Sequence, residues 1–259
     1  MSAKIVKDSI YNGNRLTTLE LEYPKYIHAE FLTHRAFSRN SSSSRAIPID
    51  KLIEQCETDW VEPIFLYNQK GMTAKDYLLD EDLDEACYLW HTAMTEAVAS
   101  ARALNKLGVH KQVVNRLLEP FTTITTLVSA TEWDNFFKLR LHPDAQQEIQ
   151  ELAKEIKYAI SQSTPIKMDI GHWHLPYIQP NEEYLDLNVL KRLSSARCAR
   201  VSYLNHGRTN SVETDLDLAD RLIEAGHASP MEHIATPTSL DNPTGNFVQW
   251  NQYRYYIGI

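Results

Sequence analysis

From Leu19 to Tyr23 apolar and acidic residues alternate, which predicts a strand with one buried face, and Pro24 is suited to open a helix because its missing N–H is not needed in a first turn. Beyond it Ile27, Phe31 and His34 recur at helical spacing, predicting a helix that delivers His34 and Arg35 together near its C-terminal end, before the serine run Ser41 to Ser44 breaks it. A second helix is expected after Asp50 as N-cap, and a long alanine-rich one from about Asp82 to Leu107, ended by Gly108; both read as scaffold. Thr131 to Leu141 predicts an amphipathic helix, His142-Pro143 interrupts it, and Asp144 to Ser161 predicts another with Ile149, Leu152, Ile156 and Ile160 inward. Pro165, Gly171, Pro176 and Pro180 mark a connector over residues 164–183, after which helical patterns resume at Leu187 to Tyr203 and Thr214 to Ala225. The aromatic-rich segment Phe247 to Tyr256 closes the chain, and the connector joins two halves of one domain over residues 1–259 rather than separating two domains.

Composition narrows the function classes. The chain has 259 residues and a formal net charge of −8, which argues against broad nucleic-acid binding because that affinity comes from neutralising phosphates with Lys and Arg. No apolar run has the length of a membrane span and MSAKIVKDSI lacks a secretory h-region, so a cytoplasmic protein is expected. Cys56, Cys87 and Cys198 have no paired spacing and read as buried free thiols. Any anionic ligand must then meet a local arginine cluster.

Such a cluster stands at His34-Arg35-Ala36-Phe37-Ser38-Arg39-Asn40-Ser41-Ser42-Ser43-Ser44-Arg45. Small residues let backbone N–H groups approach an anion, and Arg adds bidentate bonds that Lys cannot match, so this loop can cradle phosphate; on composition alone a serine-rich linker is the alternative. His172-Trp173-His174 and the set His227, Glu232 and His233 invite a metal reading, but the first has no third ligand nearby and the second sits on irregular backbone, so no metal is expected.

The segment fits His-Arg-x-x-Ser-x-Asn-x-x-Ser-x-Arg at His34, Arg35, Ser38, Asn40, Ser43 and Arg45, and in this it resembles the flavin-dependent thymidylate synthases. Similar blocks follow at Arg116-Leu-Leu-Glu-Pro120, Asn135-Phe-Phe-Lys-Leu-Arg140 and Ala145-Gln146-Gln-Glu148-Ile149. A further block, Ala196-Arg197-Cys-Ala-Arg200-Val-Ser202 with Gly226-His227-Ala-Ser229-Pro230-Met-Glu232-His233, is similar to the family's N-terminal region yet comes last here, so a circularly permuted member is expected. Phe247 to Arg254 echoes the residues that precede the signature in that family.

The resemblance implies an α+β fold, a mixed or antiparallel sheet with flanking helices, in a homotetramer. It implies reductive methylation of dUMP to dTMP with FAD as cofactor and NADPH and methylenetetrahydrofolate as co-substrates. Arg140 then faces the pyrimidine as the catalytic group, while Glu30, Ser41, Ser43, Ser44, Arg45 and Arg116 hold the nucleotide. His34, Arg35, Asn40, Asn135, Ser202, His227, Ser229 and Glu232 meet the flavin and folate. The other thymidylate synthase chemistry uses a cysteine after a proline, whereas the cysteines here follow Gln55, Ala86 and Arg197. The chain departs from the family at Thr33 for Arg, Glu30 for Gln, Ser41 for Glu, and Ser129-Ala-Thr131 for Asn-x-Arg; Arg39 or Arg254 is the candidate to offset the first. An ionised Glu30 only accepts hydrogen bonds where Gln also donates, which keeps open a flavin-dependent hydroxymethylase acting on a related pyrimidine nucleotide. An inactive nucleotide- or flavin-binding homologue is the remaining alternative.

Overall fold

The computed structural model describes residues 1–71, 73–203, 211–239 and 245–259. A two-residue turn at Asn12-Gly13, with φ of 46° and 81°, folds β1 (Ser2–Tyr11) back onto β2 (Asn14–Pro24), and glycine meets the second position without Cβ strain. A single 3-10 turn then leads into α1 (His28–Leu32) and on to β3 (Ser38–Ser41). Next come α2 (Ile49–Thr58), α3 (Asp80–Lys106), α4 (Lys111–Val114), β4 (Thr123–Ala130), α5 (Asp134–Arg140), α6 (Gln147–Gln162) and β5 (Ile166–Lys167). The chain continues through α7 (Leu187–Arg200), α8 (Val212–Glu224), β6 (Ala235–Pro237), β7 (Trp250–Gln252) and α9 (Tyr253–Tyr256).

The main sheet runs β3-β4-β2-β1-β5, antiparallel except for the short β1–β5 pair, and β6 pairs with β7 beside it. Strand alternation gives it two buried faces. On one, Leu19, Leu21 and Tyr23 of β2 and Ile124 and Val128 of β4 pack with Phe31, Phe136 and the α6 residues Ile149, Leu152 and Ile156. Burying each such side chain contributes about 1.5–3 kcal/mol before chain entropy is subtracted, so this face anchors the α6 stripe read from the sequence. On the other, Leu127 packs with Leu175 of the connector, Cys198 and Val201 at the end of α7, and Met231 and Ile234. A separate cluster of α2, α3, α4 and the turns after it gathers Leu52, Met94, Val98, Val114, Leu118 and Phe121, and supports the segment that carries Arg116.

The second face carries buried hydroxyls as well as apolar groups. Thr18, Ser129 and Ser38 lie opposite one another on β2, β4 and β3, and Ser9 of β1 points the same way. His174 bridges Ser9 Oγ (2.8 Å) and Thr18 Oγ1 (2.7 Å), Thr18 Oγ1 meets Ser129 Oγ at 2.5 Å, and Ser129 Oγ meets His233 Nδ1 at 2.9 Å. Gln252 Nε2 donates to Ser38 Oγ at 2.9 Å. Burying a polar group without a partner costs about 1–3 kcal/mol, so this row fixes how the connector and the C-terminal segment sit on the sheet.

Several expectations shift. The first helix ends at Leu32, well before the serine run, because Phe37 is drawn into the core and Ser38–Ser41 pairs with the edge of β4. Asp50 lies inside the first turn of α2, which starts at Ile49 behind the extended Pro48. The helix expected from Thr131 begins at Asp134, since Thr131 Oγ1 is engaged by the Val248 N–H at 3.0 Å. The next begins at Gln147 because Asp144 and Ala145 fold back on His142. Cys56 and Cys198 are buried, but Cys87 is only half-buried on the outer side of α3. Strand β1 is not among the elements predicted, its alternation being blurred by a register shift between Ile5 and Lys7. Gly108 does end α3, with φ of 77°, and its N–H and that of Val109 close back on Asn105 and Leu104. Among the described residues no helix is long and apolar enough to cross a membrane.

Four histidines are held neutral by this packing. Burial, aided by nearby Lys25 and Arg39, lowers His28 to about 4; burial with Arg140 and Arg39 lowers His34 to about 4; burial lowers His233 to about 3 and His174 well below its ordinary value. Each folded value lies below the unfolded one of about 6.5, so the unfolded chain takes up protons first. The stability contributed by the neutral rings is complete above about pH 6.5 and is lost as pH falls toward about 4. Urea midpoints are expected to drop steadily between about pH 7 and about pH 5. A flat profile would show that these rings are not neutral in the fold.

Candidate active site

Because Ser38–Ser41 is a strand, the signature is divided between the two faces of the sheet rather than forming one loop. Ser38 and Asn40 point to the face covered by the C-terminal segment, and Arg39 and Ser41 to the face of α1. The site residues accordingly fall into three groups.

The first group faces the C-terminal segment. Asn40 is buried; its Nδ2 donates to the Cys198 carbonyl at 2.7 Å, and its Oδ1 accepts from Ser229 Oγ at 3.2 Å. The Ser43 N–H donates to the Ser202 carbonyl at 3.0 Å, fixing the start of the loop against the end of α7. His227 is delivered by the end of α8, where Gly226 at φ 70° lets its own N–H and that of His227 close on Ile223 and Leu222. Asn40, Ser43, Arg45, Ser202, His227 and Ser229 line one cavity of about 490 Å³, together with Lys111 and Tyr203 and, among the described residues, no carboxylate. Two cations and several hydroxyl and amide donors make it a polar recess suited to an anion.

The second group is built on Arg140 at the end of α5. Its Nε donates to His34 Nε2 at 2.8 Å, and Nη2 donates to the Glu30 carbonyl at 3.0 Å and to Thr33 Oγ1 at 2.9 Å. His34 stands edge-on to Phe136 at 4.9 Å and is neutral, so its Nε2 is the acceptor and its proton sits on Nδ1. Nη1 of Arg140 takes no partner among the described residues, so the guanidinium is oriented by three bonds and keeps one edge for a ligand. Thr33, standing where the resemblance expects Arg, is thus a hydroxyl that helps aim Arg140. Glu30 Oε2 is buried and has no hydrogen-bond partner among the described residues. Arg35 is exposed, and Asn135 is exposed in the first turn of α5.

The third group gathers on the α1 face. Ser44 Oγ bonds both Lys25 and Glu119, Lys25 Nζ lies 2.9 Å from Glu119, and Arg116 Nη1 donates to Glu119 at 2.8 Å. Ser41 Oγ meets Thr126 Oγ1 at 3.0 Å, Thr126 meets Tyr23 Oη at 3.0 Å, and Tyr23 Oη meets His28 Nδ1 at 2.8 Å. Ser43 and Ser44, adjacent in sequence, therefore serve different recesses.

Lys25, His28, Lys111 and Glu119 are site-lining residues that the sequence reading missed. Only Glu119 carried a signal, as the acid within Arg116-Leu-Leu-Glu-Pro120. Arg39 donates to the Leu32 carbonyl at 2.7 Å and so ties down the end of α1, while Arg254 pairs with Glu232 at 3.3 Å. The aromatic C-terminal segment thereby reaches Glu232. His172 is exposed and His174 is consumed by the hydroxyl row; among the described residues no three His, Cys, Asp or Glu converge as metal ligands.

Residues 16–166 match the family model Thy1, thymidylate synthase complementing protein. A curated flavin-dependent thymidylate synthase from Thermus thermophilus is 27% identical over 158 residues, covering 59% of this chain and 54% of that one, so the chain spans about half the length of this relative. Among solved structures, the UMP/dUMP methylase PolB from Streptomyces cacaoi bound with 5-Br UMP is similar over 62% of this chain and 88% of that chain, with a TM-score of 0.51 and 14% identity. A flavin dependent thymidylate synthase from Helicobacter pylori, complexed with FAD and dUMP, aligns over 56% of this chain and 67% of that one at 20% identity and a TM-score of 0.39. The PolB likeness is one of fold, and the α+β architecture agrees with it.

If Arg140 holds His34 as described, Arg140→Gln is expected to raise the His34 pKa from about 4 toward, but not to, its ordinary value, because burial remains. Ring-proton NMR titration measures this. An unmoved His34 would show that the contact does not exist in solution.

Proposed function

The chain belongs to the thymidylate synthase complementing protein family, and on that premise we propose that it is a flavin-dependent thymidylate synthase that converts dUMP to dTMP. The observation that carries this reading is the single cavity lined from both sides, by Asn40, Ser43 and Arg45 of the signature and by Ser202, His227 and Ser229 of the C-terminal segment. The same packing supports a circular permutation with residues 164–183 as the joint, since the last block lies against the signature despite following it in sequence. The matched span, residues 16–166, stops at that joint.

The cavity fits FAD in its donor set: Arg45 and Lys111 offer charge to a pyrophosphate, Asn40, Ser43 and Ser202 offer neutral bonds, and no acid among the described residues lines it. Bound FAD supplies hydride storage between NADPH and the one-carbon unit delivered by methylenetetrahydrofolate. The protein's own work is positioning and polarisation. Arg140, aimed by His34, Glu30 and Thr33, directs Nη1 at the pyrimidine and stabilises negative charge developing on the ring. Neutral His34 leaves the positive charge on the guanidinium and receives its Nε–H without competing for the substrate.

Glu30 favours a second reading. Among the described residues its buried Oε2 meets no donor, and a pyrimidine with an exocyclic amino group, which uracil lacks, satisfies it there, as in a hydroxymethylase acting on a related nucleotide.

The FAD-loaded protein, reduced anaerobically with NADPH and given dUMP and methylenetetrahydrofolate, is expected to yield dTMP by mass. Arg140→Ala is expected to lower turnover at least about 100-fold while flavin stays bound, the scale of losing one group that stabilises transition-state charge. A product heavier by one oxygen selects the hydroxymethylase reading. Flavin binding with no product from dUMP refutes the synthase reading, and no product from the amino-bearing dCMP as well refutes the hydroxymethylase reading.

A further inference from the structure

We propose that Glu119 is a built-in anion that occupies the phosphate seat of the nucleotide site, so that a phosphate monoester binds by displacing its carboxylate. This rests on the nucleotide reading of Ser44 and Arg116 given above. Three donors from three separate stretches converge on the same oxygen, Oε1: Lys25 Nζ at 2.9 Å, Arg116 Nη1 at 2.8 Å and Ser44 Oγ. Two of the three are residues assigned to the nucleotide on other grounds, yet here they serve a carboxylate of the chain itself. Carboxylate and phosphate oxygens accept the same charge-assisted bonds, so one donor set fits either.

The carboxylate is ionised in this seat. Burial works against its charge, but the hydrogen bonds from Ser44 and Lys25 and the nearby Arg116 charge outweigh it and hold Glu119 below the usual carboxylate range. Lys25 and Glu119 are largely covered, whereas the Arg116 side chain is 59% exposed, so Arg116 is able to swing from carboxylate to ligand. Beside the cluster lies a cavity of about 380 Å³ walled by Tyr26, His28, Ala29, Leu32 and Pro120, a mainly apolar shelf next to a charged seat. That pairing suits a nucleoside monophosphate.

Displacement has a consequence for specificity. A phosphate dianion carries more charge than the carboxylate it replaces and competes for Lys25 and Arg116, whereas an uncharged nucleoside has nothing to offer them. Glu119 thus weakens every phosphate ligand by a common factor, and keeps two cations paired when no ligand is bound.

The test is calorimetric titration of the full chain and of Glu119→Gln with dUMP, deoxyuridine and inorganic phosphate. Glu119→Gln is expected to bind dUMP and phosphate about tenfold more tightly, equivalent to about 1.4 kcal/mol, with deoxyuridine unchanged. Unchanged or weaker binding of both phosphate ligands overturns the proposal, as does an equal gain for deoxyuridine. If phosphate tightens while dUMP binds neither protein, the anion seat stands and the nucleotide reading falls. Should Glu119→Gln not fold, Glu119→Ala, which likewise removes the carboxylate, carries the same expectation.

Discussion

A row of buried hydroxyls and imidazoles across the sheet is the constraint on which the site depends. Ser9, Thr18, Ser129 and Ser38 leave polar atoms on a face that must be covered, and His174, His233 and Gln252 are the groups that cover them. Leaving any of these groups unpaired costs about as much as losing a core methyl or two, so the connector and the C-terminal segment have one satisfactory seating. That seating brings Ser202, His227 and Ser229 to Asn40 and Ser43.

Strand geometry then distributes the chemistry. In a loop the residues from His34 to Arg45 can converge on one ligand, but in β3 neighbours point to opposite faces. The sheet therefore carries a cationic recess on one side and, on the other, the Arg140 clamp and the Glu119 cluster. In a chain of net charge −8, some arginines are held by neutral acceptors and others are paired with a carboxylate of the chain. Arg140 is the first kind and keeps a donor for a ligand; Arg116, Arg197 and Arg254 are the second. Arg197, gripped by Glu182 and Asp215, joins the connector to α7 and α8 and so steadies the end of α7 where Ser202 begins its contact with Ser43.

Much of this was legible in the sequence wherever local rules dominate. Strand β2, the stripe of α6 and the end of α3 at Gly108 follow from alternation, helical spacing and the freedom of glycine at positive φ. The residue types of the site, with arginines and small hydroxyls at fixed spacing, were equally readable and pointed to an anionic ligand and to the family. What one chain cannot declare is which face a residue takes once a loop becomes an edge strand, or which distant carboxylate an arginine finds. The end of α1 at Leu32, the strand at Ser38–Ser41 and the separation of Ser43 from Ser44 were decided by pairing with β4 and by packing of α1. Those are interactions between segments far apart in sequence, whose energies exceed local preference and leave no periodic trace in the chain.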